Sequence, residues 1–382
     1  MKTNLKIAFV PSTFLPIVGG AEIQTHNLAN LLSKKGVIID IWNTKKASYK
    51  KKKYNLCFFN KLILNTTYVL RYYFKIKISF FLKNYLKKII QYKKYDIWHF
   101  HSVNFKTLII FEILKELNQK VVFTFQGADI QVNKKINYGY RLDPNYDKLL
   151  KKNLPLIDRV HSISKEIDKE LLLLNYSYKK ILRIPNCVYL RKINKYSFYK
   201  SNKTTLITVA RYAKKKKGFD FVEKIGSHLL NKIDFKWIII GRNVAELNKY
   251  SFISKNKKNF KIINEINNNE YFFPNSKLIK YYKSSTIYAH LSRIESFGIT
   301  VLEAVSNKLP IISFKSPGSK TLIKNGKNGY LIDCYNTKKY AEKIIQVSKT
   351  NKKYKTNLKI FDLEFNCLKT IKDYKRLEKT IV

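Results

Sequence analysis

Two glutamates eight positions apart carry the first chemical signal in this 382-residue chain: Glu295 and Glu303, in Ser292-Arg-Ile-Glu-Ser-Phe-Gly-Ile-Thr-Val-Leu-Glu303. Glu295 falls in a loop at 293–298, and Glu303 falls inside a short helix at 299–307. Helical side chains lean toward the helix amino end, so Glu303 reaches back toward the loop that carries Glu295. Backbone N–H groups of Phe297, Gly298 and Ile299 stand at the same helix start and favour an anion there. A phosphate at that point, with one carboxylate on each side, suits a sugar nucleotide, because carboxylates accept hydrogen bonds from sugar hydroxyls. The plain alternative is a loop glutamate and a solvated helix glutamate, and spacing alone does not choose between them.

Other chemistry-bearing stretches are weaker taken singly. Arg211-Tyr-Ala-Lys-Lys-Lys-Lys217-Gly218 brings cations to a strand exit, yet the run 214–217 also reads as a solvated basic loop. In Pro16-Ile-Val-Gly19-Gly20-Ala-Glu22 the paired glycines admit close backbone approach and set a helix start beside it. Two glycines also make an ordinary turn. No Gly-x-Gly-x-x-Gly occurs, so a dinucleotide dehydrogenase is not supported. His99 and His101 look like a metal pair, but no acid or cysteine lies at ligand spacing, and packing at a strand end explains them better. No Asp-x-Asp is present, which gives no indication of a metal clamp on a diphosphate.

These stretches are positioned by alternating strands and helices. Apolar runs at 6–10, 37–41, 96–101, 120–125, 159–163 and 181–186 predict strands in the first half. Runs at 205–210, 235–240, 260–264, 287–291, 310–314 and 330–333 do so in the second. Helices are expected at 21–33, 219–230, 299–307, 337–348 and 361–379, a strand-exit loop at 316–321, and a linker at 190–203. The pattern predicts an α/β protein of two tandem Rossmann-like β/α/β domains facing each other across a cleft, residues 1–187 and 188–357.

Composition sets the outer limits. A formal charge of +49 attracts polyanions, although an abundance of Lys, Asn, Ile and Tyr throughout the chain accounts for much of it. Residues 56–92 interleave lysines with aromatics and aliphatics, which suits an interfacial membrane helix and equally a core helix with solvated lysines. Cys57, Cys187, Cys334 and Cys367 are scattered without a Cys-x-x-Cys, so neither zinc nor a disulfide framework is expected, and a reducing cytoplasm is compatible. The first apolar run is too short for a signal peptide, and no window reaches the ~18 apolar residues of a spanning helix. The expected location is cytoplasmic, with a peripheral seat on the inner face of the cytoplasmic membrane as an extension of that reading.

Taken in order, Pro16-x-x-Gly-Gly-Ala-Glu22, Asp96-Ile-Trp-His-Phe-His101, Thr124-Phe-Gln-Gly-Ala-Asp129, Ile184-Pro-Asn186, Val209-Ala-Arg211 with Lys217-Gly218, Glu295-Ser-Phe-Gly-x-x-x-Leu-Glu303 and Asn325-Gly-x-x-Gly329 cover nearly the whole chain. In this the chain resembles the retaining, GT-B-fold nucleotide-sugar glycosyltransferases of family four (glycosyltransferase group 1). The resemblance implies that Arg211 and Lys217 hold the donor diphosphate, Glu295 contacts the donor sugar, and Glu303 binds the ribose hydroxyls. It implies that backbone at Phe297, Gly298 and Ile299 touches sugar and phosphate, and that Gly19 and Gly20 admit the diphosphate. It places the base near 262–266 and sends the tail helix, about 358–382, back to the amino-terminal domain.

Two departures stand out. Gln126 occupies a position commonly histidine in the family; it hydrogen-bonds but carries no proton. The loop Pro317-Gly318-Ser-Lys-Thr321 lacks the family's glutamate.

The expected reaction is front-face glycosyl transfer with retention and without a cofactor or metal, the nucleotide-diphosphate sugar being a co-substrate. The expected acceptor is a glycan or lipid-linked saccharide in surface polysaccharide or lipopolysaccharide synthesis, with peripheral contact to anionic membrane. Alternatives are a non-catalytic polyanion- or membrane-binding protein on a GT-B scaffold, or a phosphorylase or nucleotide-sugar epimerase sharing the fold. Nucleic acid is not an expected partner, because the aromatics are spread through helices and strands and form no stacking platform.

Overall fold

A computed structural model describes residues 4–43, 49–77, 79–197, 203–266, 269–350 and 356–380. The chain divides into two compact units, Met1–Pro185 together with Leu363–Val382, and Asn186–Asp362. The sequence had placed the boundary after 187 and the tail's return at about 358.

The first unit is built on seven strands: β1 (Lys6–Pro11), β2 (Ile38–Asn43), β3 (Asn55–Phe58), β4 (Ile97–His101), β5 (Val121–Thr124), β6 (Arg159–Ser162) and β7 (Ile181–Arg183). They lie in the order β3-β2-β1-β4-β5-β6-β7, all parallel. The second has six: β8 (Thr204–Val209), β9 (Phe235–Ile240), β10 (Phe260–Ile263), β11 (Ile287–His290), β12 (Ile311–Phe314) and β13 (Gly329–Ile332). Their order is β10-β9-β8-β11-β12-β13, again all parallel.

Parallel sheets are covered on both faces, which is why the central strands are near-continuous apolar runs. Trp98 and Trp237 are fully buried, and the Trp237 indole N–H donates to Thr208 Oγ1 at 3.0 Å. In each sheet the winding direction reverses at one place, between β1 and β4 in the first and between β8 and β11 in the second. Ligands of open α/β sheets bind outside the carboxyl ends of the strands at such a reversal.

Several local expectations are revised. Residues 56–92 are not one helix: β3 adds an edge strand, followed by helices Lys61–Tyr72 and Phe80–Lys93. Leu64, Leu82, Leu86 and Ile89 turn inward, while Tyr73, Phe74, Phe80 and Phe81 remain 64–71% exposed. Residue 78 lies outside the described residues. Residues 317–322 form a helix instead of a loop, because the Ser316 N–H donates back to Ser319 Oγ at 2.9 Å across the helix start and Pro317 occupies the first turn. The expected linker begins with helix Leu190–Ile193, fixed by Lys192 Nζ donating to the carbonyls of Phe272 (2.6 Å) and Pro274 (2.8 Å); its residues 198–202 lie outside the described residues. Among the described residues no helix is long and apolar enough to cross a membrane.

The tail helix Leu363–Glu378 belongs to the first unit and packs on helix Gly20–Lys34. Its polar anchors explain His99 and His161. Tyr374 OH pairs with His99 Nδ1, whose Nε2 meets Thr124 Oγ1 at 2.8 Å. Asp373 accepts from His161 Nε2 at 2.9 Å and faces Arg159 Nε at 3.5 Å. Burial pushes His99, His101 and His161 below the usual imidazole range, so they act as neutral packing groups. Asp373→Ala leaves His161 and Arg159 without this partner inside the protein. The expected cost is roughly 2–4 kcal/mol, read as a lower melting temperature and faster proteolysis of the tail.

Candidate active site

The loop after β8 and the loop after β11 leave adjacent strands at the reversal of the second sheet. The first is shaped by backbone bonds: Ala210 N–H to Ile240 O (3.0 Å), Tyr212 N–H to Arg242 O (2.8 Å) and Lys217 N–H to Ala213 O (2.8 Å). It ends at Gly218, at φ +71°, where an added Cβ would stand 2.1 Å from the carbonyl oxygen of Leu291. Only glycine fits this approach of one loop to the other. The turn aims Lys217 at Glu295, Nζ to Oε1 at 2.5 Å, with both side chains largely buried.

Two further contacts fix the Glu295 loop. Gly318 N–H donates to Glu295 O at 2.8 Å, and a Cβ on Gly318 would sit 2.5 Å from that oxygen. The helix start that lacks the family's glutamate thus still holds Glu295 through its backbone. Arg293 staples the two loops together. Its guanidinium forks onto Asp220 at 2.7 and 2.8 Å, donates to Lys215 O at 2.6 Å, and lies 4.0 Å over the Phe221 ring. Its own N–H meets Lys216 O at 3.0 Å. A planar fork matched to a carboxylate and stacked on an aromatic is a role lysine cannot fill.

The two glutamates sit in opposite electrostatic settings. Burial alone would push the Glu295 carboxyl up, but Lys217, then His290, outweigh it and hold it down at about 2. Burial raises Glu303 to about 7, only partly offset by Tyr282 OH, which donates to its Oε2 at 2.8 Å. Burial, then Lys217, lowers Lys216 to about 7. Glu295 is therefore a fixed anion, whereas Glu303 changes charge near neutrality.

Gly298, at φ +90°, caps helix Ile299–Ser306, and Phe297 is buried with its ring 5.9 Å from that of Phe361. Tyr288 OH pairs with Thr300 Oγ1 at 2.8 Å, and Leu302 N–H closes the first turn on Gly298 O at 3.0 Å. Arg211 is exposed and close enough to Lys216 to lower its proton affinity. Lys217, Glu295, Glu303, Phe297, Gly298, Ile299 and Arg211 thus share the second unit, and residues 262–266 span the end of β10 there.

Gly19, Gly20 and Gln126 belong to the first unit. Gly19 caps helix Gly20–Lys34, and an added Cβ would meet the Glu22 carboxylate at 2.4 Å. Gln126 follows β5 in a turn organised by buried Asp129, which accepts from the N–H groups of Gln126 (3.0 Å), Gly127 (2.8 Å) and Val103 (3.2 Å). Motif reading missed the positioning groups Arg293, Asp220, His290, Tyr282, Gly318 and Asp129. Arg293 and Asp220 are 73 residues apart, so no local pattern announces their pairing. Arg293, Gly318 and Asp129 lie inside stretches quoted from the sequence, but nothing local marks them as positioning groups.

Two family models match the chain in tandem, Glycosyltransferase Family 4 over residues 18–192 and Glycosyl transferases group 1 over residues 191–359. The chain belongs to the group 1 glycosyltransferases. An uncharacterized glycosyltransferase of Haemophilus influenzae is 27% identical over 322 residues, 82% of each chain. The N-acetyl-alpha-D-glucosaminyl L-malate synthase of Bacillus anthracis is 23% identical over 88% of this chain and 86% of its own. Among solved structures, Anabaena HepE in complex with UDP and glucose superposes with a TM-score of 0.74 at 15% identity, covering 97% of this chain and 100% of that one. The fold of this glycosyltransferase is GT-B, and its activity is that of a transferase acting on sugars.

The Glu303 environment has a stability consequence with a definite sign. Between pH 4.5 and about 7 the folded protein keeps a proton that the unfolded chain has lost, so stability falls as pH rises through that window. Glu303→Gln removes the cost of the buried charge. The variant should be more stable than the parent at pH 8, by up to ~3 kcal/mol, and gain little at pH 4.5. Denaturation midpoints at the two pH values check this.

Proposed function

We propose that this glycosyltransferase moves a sugar from a nucleoside-diphosphate donor to a glycan or lipid-linked saccharide, with retention of configuration, in surface polysaccharide or lipopolysaccharide synthesis. The observation that carries the reading is the Lys217–Glu295 pair at the reversal of the second sheet. It sets an ammonium beside an ionised carboxylate where open sheets hold their ligands.

Lys217 and the exposed Arg211 take the diphosphate, and their charge stabilises the anion that leaves when the C1–O bond breaks. Glu295 accepts hydrogen bonds from the donor sugar. Glu303, held by Tyr282, accepts from the ribose hydroxyls, and backbone at Phe297, Gly298 and Ile299 faces sugar and phosphate. The departing phosphate oxygen takes the acceptor proton as the new C1–O bond forms on the same face. In this reading the two cations do the work of a metal. The UDP and glucose bound by the Anabaena relative support a nucleotide donor.

Thermal-shift and calorimetric titration with UDP, GDP, ADP and their sugars tests the assignment. One nucleotide should bind in the presence of EDTA. Arg211→Ala and Glu303→Ala should each weaken it about 10- to 100-fold, as loss of a hydrogen bond involving a charged group does. Failure of every nucleotide to bind would remove the donor assignment.

For the acceptor side, the exposed aromatics Tyr73, Phe74, Phe80 and Phe81 lie beside exposed Lys75, Lys77, Lys87 and Lys88, a composition suited to an anionic lipid surface. Replacing Phe80 and Phe81 together by Ser should weaken binding to phosphatidylglycerol vesicles about 10-fold or more. Vesicle flotation that is unchanged by the substitution, or insensitive to salt, sinks the membrane contact.

A further inference from the structure

His290 closes β11, four strand-and-loop positions short of Ile294 and immediately behind the Glu295 loop. Its side chain is buried, and its Nε2 has no hydrogen-bond partner among the described residues. That nitrogen lies 3.9 Å from Glu295 Oε1, the same oxygen that Lys217 Nζ contacts at 2.5 Å. The residue is held from both sides: its ring stacks on Tyr288 with centroids 6.0 Å apart, and its carbonyl accepts from Tyr340 OH at 3.3 Å. A buried, unsatisfied nitrogen costs stability wherever it stands. Here a movement of about 1 Å would bring it within hydrogen-bond distance of a carboxylate.

We propose that His290 is a positioning residue that supplies the counter-charge to Glu295 once the donor's diphosphate claims Lys217. This rests on the donor reading of the same site. In the free protein Lys217 neutralises Glu295, and the imidazole is not needed as a cation. A diphosphate arriving at Lys217 puts two anionic groups around one ammonium in a largely buried place, where charge imbalance is costly. His290 corrects this by taking a proton from solvent on Nε2 and donating it as a hydrogen bond to Glu295 Oε1. Glu295 then keeps its orientation toward the sugar without sharing the phosphate's cation.

The charged and titratable groups around the imidazole fit that sequence. Burial holds it at about 4 in the free protein; Glu295 pulls it up and Lys217 pushes it down. Sharing Lys217 with an anion weakens the downward push and leaves the upward pull. Lys216 and Arg211 stand behind Lys217 in the same loop, and Tyr288 and Tyr340 face His290 as neutral hydroxyls.

Proton linkage on binding reads this out. UDP is titrated calorimetrically at pH 7 into the full chain, in buffers of different ionisation enthalpy, with GDP and ADP substituted if UDP gives no heat. The parent protein should take up at least roughly half a proton more per bound nucleotide than His290→Gln. Glutamine can donate to Glu295 but cannot bind a proton. Contributions from Glu303, Lys216 and the nucleotide itself are common to both proteins and cancel in the difference.

A second variant covers the case in which His290→Gln does not fold. In ligand-free Lys217→Met, one of the six histidine imidazoles should titrate about one pH unit or more above its parent value by NMR. Equal proton uptake in parent and His290→Gln, or no histidine shift in Lys217→Met, overturns the role of His290 alone. No binding by any of the three nucleotides overturns the donor assignment as well.

Discussion

The second unit depends on one close approach, that of a lysine carried by the loop after β8 to a glutamate carried by the loop after β11. These strands are neighbours in the sheet but are separated in the chain by β9 and β10. The approach exists only because the sheet reverses its winding there. Removing two charges from water is costly, and a buried pair persists only where geometry and additional bonds compensate. The surrounding residues supply that compensation. Gly218 and Gly318 give the clearance, Arg293 ties the backbones together through Asp220, and Ser292 hydrogen-bonds the carboxylate.

The same architecture separates two chemically identical side chains. Glu295 has a cation in contact and stays ionised; Glu303 is met by the Tyr282 phenol and pushed toward neutrality by burial. Eight residues of sequence thus yield one permanent anion and one group that titrates near pH 7. In the donor reading proposed above, this division is useful. A permanent charge next to a lysine preorganises the cation, whereas a second fixed anion nearby would oppose phosphate binding. Glu303 can accept hydrogen bonds from hydroxyls while adding less repulsion than a fully ionised carboxylate.

The first unit is held together differently. Its central strands carry histidines where purely apolar residues would suffice for the sheet, and two of them, His99 and His161, meet the phenol and carboxylate of the tail helix. The tail helix that returns to this unit at Leu363 is thereby specified by polar contacts buried in the core. Hydrophobic packing alone would accept a helix in several registers; a buried hydrogen-bond network accepts far fewer. The edge of the sheet at β3 and the helices after it follow the opposite logic, turning Leu64, Leu82, Leu86 and Ile89 inward and leaving aromatics and lysines outside.

The sequence by itself determined the parallel α/β architecture, because doubly covered strands must be continuous apolar runs and those runs are local features. It also singled out candidates for the chemistry, since Arg211, Lys217, Glu295, Glu303 and the glycines lie within short motifs. Tertiary structure alone decided their state. Whether Lys217 is a solvated member of a basic run or the partner of Glu295, whether Glu303 is charged, and that His290 stands behind Glu295 all depend on residues brought together from distant positions. Arg293 and Asp220 are 73 apart and Lys217 and Glu295 78 apart. Strand 55–58 and helix 317–322 were missed for a related reason: an edge strand takes its identity from its neighbour, and a short helix from the contacts at its start. Electrostatic state is a sum over neighbours in space, and spacing along the chain carries no record of it.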